Sequence, residues 1–320
     1  MDPAYEGLYG RRTSDRILRV HPEFAQNWYE RTKDLVDKYD PDLLYFDGPL
    51  PNGDYGRHLA AHYYNKHISA DGTQTGVITI KRDRDGFTRL RECSGVDEMQ
   101  SRPFMVETTI NPGWFYMGGR LNINEHGGDS GMASVSGADT SDKLRMTAGQ
   151  VIDLLVDVVS KNGNLMLNVG LRADGSLPET FRSELDKIGA WLKLNGEAIF
   201  DTRPYKVFGE GPFSTANVGA GLSDKKRAYA DYMYSYGKDD IRFTTKDGNI
   251  YVIVLDWPGD GAVIRVNSLD KADIAAIKSV TNLADGKPLK WRADDGLYIT
   301  MPEKATGQYA YAFKIIKTAR

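Results

Sequence analysis

Cysteine is nearly absent. Cys93 stands alone among 320 residues, which excludes an internal disulfide and leaves a small, partly buried side chain as its plain reading, with a reactive thiol as the alternative. No apolar run reaches the roughly 18 residues that a membrane helix needs, so no membrane partner is expected. The opening MDPAYEGLYG has neither the basic nor the apolar region of a secretory leader. Positive charge is not in excess: the net charge is -3 and Lys and Arg are scattered, which excludes a basic stripe for nucleic acid. Asn162-Gly163-Asn164 is not followed by the Lys-Ser or Lys-Thr of a phosphate loop, and no serine elbow is present. His58 and His62 stand four apart on a predicted helix, but no acidic third ligand follows at metal spacing, so they read as a surface face and no metal site is expected.

What is there is ordinary for a globular chain, 41% hydrophobic and 27% charged, with a length that suggests two domains. From residue 21 to about residue 200, helices and strands alternate. Pro22 opens a helix whose apolar positions Phe24, Trp28, Leu35 and Val36 recur at helical spacing, and Pro41 ends it. The run Asp42 to Phe46 is a short strand that stops at Asp47-Gly48-Pro49. A helix over Tyr55–Lys66 and strands at Val77–Ile80 and Phe104–Ile110 follow. Thr147 and Gln150 form a capping box ahead of a helix over Val151–Ser160, and Ser176 and Glu179 are read as another ahead of a helix ending at Leu194. Leu165 to Val169 reads as a buried strand, and Glu197–Phe200 as a last short one. Short apolar strands between amphipathic helices imply a parallel sheet with helices outside.

After Tyr205 the pattern changes. Ile241–Thr245, the turn Lys246-Asp247-Gly248-Asn249, and Ile250–Leu255 have the signature of a β-hairpin. Further strands are expected at Ala262–Val266, Ile277–Val280, Leu297–Met301 and Tyr309–Ile316, with no comparable helix between them. This predicts an antiparallel β-sandwich over residues 206–320, following a helix-and-strand domain over residues 1–205. Residues 211–240, rich in Gly, Ser and Lys, read as a mobile segment.

Asp47 is the first candidate for chemistry, because it ends an apolar parallel strand, where α/β folds place their active groups. An aspartate that merely caps a turn is the alternative. Hydrolysis of a sugar with retention needs a second carboxyl about 5–5.5 Å from the first. Glu92 and Glu98, in the loop after the second strand, and Glu107, inside Phe104–Ile110, are the candidates. The first two can equally be solvated loop charges, and Glu107 an acid paired with Arg82 or Arg102. Arg82 can offer a planar fork to a sugar hydroxyl, or pair with Asp83 or Asp85. Tyr45, Trp114, Phe115 and Tyr116 can wall a sugar pocket or belong to the core.

The segment Tyr39-Asp40-Pro41-Asp42-Leu43-Leu44-Tyr45-Phe46-Asp47-Gly48 resembles the nucleophile strand of the family 29 α-L-fucosidases, with Tyr45 in place of a Trp. Ser160 through Gly170, followed by Asp174-Gly175 and Pro178, resembles that family's seventh-strand hallmark. Asn195-Gly196-Glu197-Ala198-Ile199-Phe200 with Thr202-Arg203-Pro204 resembles its eighth strand, and Phe243-Thr244-Thr245-Lys246 the first hairpin of its C-terminal sandwich. The resemblance implies an α/β fold: a (β/α)8-like barrel, here partial with strands four to eight, followed by a C-terminal antiparallel β-sandwich. It implies a retaining hydrolase of terminal α-L-fucosyl residues, with Asp47 as nucleophile and no cofactor. It carries Glu92 over as acid/base, with Glu107 as the alternative because the family's Trp-Glu pair is replaced by Phe104-Met105. It carries Tyr45, Arg82, Trp114 and Tyr116 over as sugar-binding residues. The implied partner is a fucosylated oligosaccharide or glycoconjugate. Family members carry three barrel strands before the nucleophile, whereas 46 residues precede Asp47 here. A homo-oligomer or a partner chain completing the barrel is therefore an expectation, as are a non-catalytic fucose-binding module and one subunit of a split fucosidase. The compartment stays open, with a bacterial periplasmic or extracellular setting as first choice.

Overall fold

The structure, a computed structural model, describes residues 22–48, 50, 53–81, 87–93, 95–111, 114–116, 144–212 and 236–318. The chain divides into two compact units, Met1–Leu90 and Arg91–Arg320.

In the first unit, α1 (Pro22–Tyr39) precedes β1 (Leu43–Phe46), and α2 (Asp54–Lys66) precedes β2 (Val77–Ile80). β1 and β2 run parallel in the register Leu43↔Val77 to Phe46↔Ile80, and β2 pairs in parallel with the start of β3 (Thr88–Glu92). The core is small: Val36, Leu44, Ala60, Tyr63, Ile78 and Ile80, with Phe46 packed against it. Leu44 and Phe46 therefore face the core, and alternation turns Leu43 and Tyr45 to the other face. The Tyr63 hydroxyl donates to Pro41 O at 3.0 Å and accepts from Val77 N–H at 3.1 Å, joining α2 to the start of both strands.

In the second unit, β4 (Phe104–Thr109) and β5 (Gly163–Asn168) are parallel, with α3 (Ala148–Ser160) between them in sequence and α4 (Glu179–Asn195) after them. α3 forms because Thr147 and Gln150 close a reciprocal capping box and because its apolar positions pack into one core. That core takes Phe104 and Val106 from β4 and the partly buried Leu165 and Leu167 from β5. Met105, Glu107 and Thr109, and with them Asn164, Met166 and Asn168, thus share the opposite face of the pair.

β6 (Arg203–Glu210), β7 (Ile241–Lys246), β8 (Asn249–Val254), β10 (Ile277–Asn282) and β13 (Tyr311–Lys317) form an antiparallel sheet in the order β10-β13-β8-β7-β6. A smaller sheet has the order β11-β12-β9, from β9 (Val263–Val266), β11 (Trp291–Ala293) and β12 (Leu297–Thr300). A five-residue helix, α5 (Lys271–Ala275), lies between β9 and β10 in sequence. Asp247 and Gly248, at φ 50° and 78°, make the two-residue turn of the β7–β8 hairpin. From Ile250 to Val254, β8 carries no charged or amide side chain because both of its faces are covered. Ile250, Val252 and Val254 face β9 and β12 in one core, while Tyr251 and Ile253 join the core of α3 and α4. Each such buried aliphatic side chain contributes roughly 1.5–3 kcal/mol. Trp191 Nε1 donates to Ala310 O at 2.7 Å, tying α4 to the segment before β13.

Three expectations change. Gly196–Ala198 is a turn of 3₁₀ helix, so the last strand expected at Glu197–Phe200 does not form; Ala198 and Ile199 are buried in the helix-facing core instead. Thr88–Glu92, read as loop, is a strand, and Glu92 is its last residue. The Ser176–Glu179 capping box is not made: the Ser176 N–H donates to Asp174 Oδ1 at 2.9 Å and α4 starts after Pro178 with no side-chain cap. Most of the segment expected to be mobile, residues 213–235, lies outside the described residues. Among the described residues, no helix is long and apolar enough to cross a membrane.

Candidate active site

Asp47 stands just beyond the C-terminal end of β1. Gly48 takes φ 145°, a conformation that other residues rarely adopt, and its N–H folds back onto Phe46 O at 2.8 Å. Gly48 O in turn accepts from Lys81 N–H at 3.1 Å, which ties the bend to the end of β2. The bend leaves the Asp47 side chain 69% exposed, and Lys81 Nζ sits 2.9 Å from its Oδ1. Lys81 was not foreseen. It is the first residue after β2, as Asp47 is after β1, and the register Phe46↔Ile80 makes the two neighbours. Tyr45 is half-buried, on the face away from the first unit's core. Arg82 lies outside the described residues.

In the second unit, Glu92 is half-buried at the end of β3. Cys93 follows at φ 48°, and its N–H donates to Glu107 O at 2.7 Å. This bond brings the backbones of the two candidate acids to neighbouring strands. Glu107 is half-buried on the face of β4 that carries Met105 and Thr109. Glu98 is an exposed loop residue. Cys93 itself is buried.

Beyond β4, Trp114 and Tyr116 are half-buried and Phe115 is 76% exposed. Their position is set by amides the sequence reading had not singled out. Asn168 Nδ2, at the end of β5, donates to Trp114 O at 3.0 Å and to Thr109 Oγ1 at 3.1 Å. Asn111 Oδ1 accepts from Gly170 N–H at 3.0 Å, and Asn111 Nδ2 donates to Phe115 O at 3.3 Å. The Arg172 guanidinium lies 5.7 Å from the centre of the Tyr116 ring. Asn168 lies within the Ser160–Gly170 motif, as the polar residue that ends the apolar run Leu165–Leu167, and that was the available signal.

Among the described residues no three His, Cys, Asp or Glu side chains gather as metal ligands. His62 pairs instead with Asp37 at 2.6 Å, and His58 is exposed.

Parallel strands backed by helices, followed by an antiparallel sandwich, make up part of a (β/α) barrel with a C-terminal β domain. A family model described as Alpha-L-fucosidase matches residues 1–127 and 132–197, and one described as Alpha-L-fucosidase C-terminal domain matches residues 236–316. The chain belongs to the α-L-fucosidase family. Among curated relatives, it is 28% identical over 185 residues to the tissue α-L-fucosidase of Rattus norvegicus, covering 56% of this chain and 34% of that one. It is 26% identical over 278 residues to the tissue α-L-fucosidase of Bos taurus, covering 84% and 49%. The chain thus spans about a third to a half of the length of these relatives. A solved α-L-fucosidase superposes with a TM-score of 0.63 at 25% identity, over 93% of this chain and 57% of that one. Isoenzyme 1 from Paenibacillus thiaminolyticus, at 18% identity, shares the fold with a TM-score of 0.62 over 98% and 65%.

Proposed function

We propose that this chain carries the catalytic centre of a retaining glycoside hydrolase that removes terminal α-L-fucosyl residues from oligosaccharides or glycoconjugates. In this reading residues 1–205 supply the catalytic barrel portion and residues 206–320 its sandwich. Asp47 attacks the anomeric carbon and forms a glycosyl-enzyme. Glu92, or Glu107 in its place, first protonates the leaving oxygen. It then takes a proton from the water that releases the sugar. Tyr45, Arg82, Trp114 and Tyr116 hold the sugar ring. No step in the scheme calls on a metal or organic cofactor.

The observation that carries the reading is the place of Asp47. It is an exposed carboxylate just beyond a parallel strand's C-terminal end, in a chain of this family, on a bend whose backbone conformation favours glycine. Lys81 Nζ, 2.9 Å away, orients the carboxylate at the strand end. The test is hydrolysis of an aryl α-L-fucoside. Asp47→Ala should cut turnover by roughly 10⁴-fold or more, the scale of losing a member of a catalytic set, and azide should restore part of it. An unchanged rate removes the assignment. Native mass spectrometry of the same sample reads whether a second chain accompanies the activity.

A further inference from the structure

The tips of β4 and β5 are joined by a network of side-chain amides. Thr109 and Asn168 are register partners on the same face of the strand pair. Thr109 Oγ1 receives an N–H from Asn168 and donates to Asn111 Oδ1 at 3.0 Å. Asn111, 2% exposed, also accepts from Gly170 N–H. Two of the remaining amide N–H groups reach the carbonyls of Trp114 and Phe115. The approach is close: a Cβ on Gly170 would lie 2.9 Å from Tyr116 N and 3.1 Å from Asn111 Nδ2, so only glycine fits there. Two buried or half-buried amides thus spend their donors on the carbonyls of one short segment of aromatic residues. Backbone carbonyls of a loop that only needed to turn could be left to water. Fixing them costs conformational entropy, which is recovered where the loop must hold a rigid surface.

We infer that Asn168 and Asn111 are positioning residues that fix Trp114–Tyr116 as a preformed wall against which the fucose ring packs. This deepens the hydrolase reading and rests on it. Neither asparagine touches the sugar; each acts through the segment it holds. Aromatic faces take the apolar C–H side of a pyranose only when the ring plane is held, and a loosened segment binds more weakly without changing the chemistry that follows.

The test uses the full chain labelled with 5-fluorotryptophan. Its five tryptophans give separable ¹⁹F signals, and Trp114 is assigned by its loss in Trp114→Phe. Asn168→Ala should shift and broaden the Trp114 signal and leave the other four in place. Titration with L-fucose followed at that signal should show affinity weakened about tenfold. On an aryl fucoside the same variant should raise KM about tenfold while kcat stays within about twofold, as expected when uniform binding is lost. Asn111→Asp keeps the acceptor for Gly170 and Thr109 but loses the donor to Phe115 O, so it should show a smaller change of the same kind. It carries the test if Asn168→Ala does not fold. An unmoved Trp114 signal, unchanged fucose affinity in the variants, or a wild-type signal that fucose leaves untouched each overturns the inference. Fucose binding by the wild type without turnover overturns only the catalytic reading and leaves the positioning role standing.

Discussion

The ion pairs Lys81–Asp47 and Arg242–Asp157 are similarly short, 2.9 Å and 2.7 Å, yet one stands in solvent and the other in a dry layer. Asp47 is 69% exposed and Lys81 27%. Arg242 and Asp157 are 0% and 1% exposed, where α3 meets β7. Asp157 also accepts from Lys161 Nζ at 2.7 Å, Lys161 reaches Val96 O at 2.8 Å, and the Arg242 guanidinium lies against the rings of Tyr236 and Phe208. Two charges in water attract weakly and separate cheaply, so the exposed carboxylate remains available to a substrate. Two buried charges cannot be separated without stranding one of them, so that pair fixes the helix to the sheet. Placement, more than distance, sets what each pair can do.

The sharpest break of this contrast is a crossed pair of variants. Asp47→Ala should lose roughly 10⁴-fold in turnover while chemical denaturation shows a stability change below about 1 kcal/mol. Asp157→Ala should do the reverse, costing about 3–5 kcal/mol in denaturant unfolding while the folded fraction keeps its kcat. A large stability loss at Asp47, or activity lost at Asp157 with stability intact, would undo the division.

A finer probe lies one turn before Asp157. Asp153 is pushed up to about 8, first by burial, then by the charge of Asp256, with Asp240 and Asp157 adding to the rise and Arg242 opposing it. Its folded pKa lies above its unfolded value, so the neutral acid is the form the fold favours. This contribution is complete below the ordinary carboxylate range and is lost as pH rises through about 8. Melting temperature should therefore decline from pH 5 to pH 8 in the wild type, and Asp153→Asn should flatten the decline. An identical slope in both would place the titration elsewhere. The smallest effect is expected at Lys81→Ala, whose unfolding free energy should stay within about 1 kcal/mol of wild type in low salt. A larger loss would mean that the strand-end pair is structural after all.

The parts of the fold that sequence made legible are those whose signals are local. The Thr147–Gln150 box, the Asp247-Gly248 turn and the apolar run of β8 each announce their structure within a few residues. β3 was missed because Thr88-Arg89-Leu90-Arg91-Glu92 offers one apolar residue, and pairing rather than propensity makes it a strand. Glu197–Phe200 was misjudged because burial alone does not separate a strand from a 3₁₀ turn packed on a core. At the candidate site, the strand-end position of Asp47 was legible from its strand-to-turn setting. Lys81 was not, because its partnership depends on the register between two strands 30 residues apart. The grip of Asn168 and Asn111 on the aromatic segment likewise depends on a loop folding back over a strand tip, which no spacing rule encodes.

The double covering of β8 carries one more consequence. Its alternate residues Tyr251 and Ile253, with Leu255 just beyond, are kept from water by α3 and α4. A shortened chain beginning near Tyr236 would keep every strand from β7 to β13 and still bare that oily stripe. Such a piece should clump on expression. The helices thus serve the sandwich as a lid against self-association, whatever else they do for the barrel.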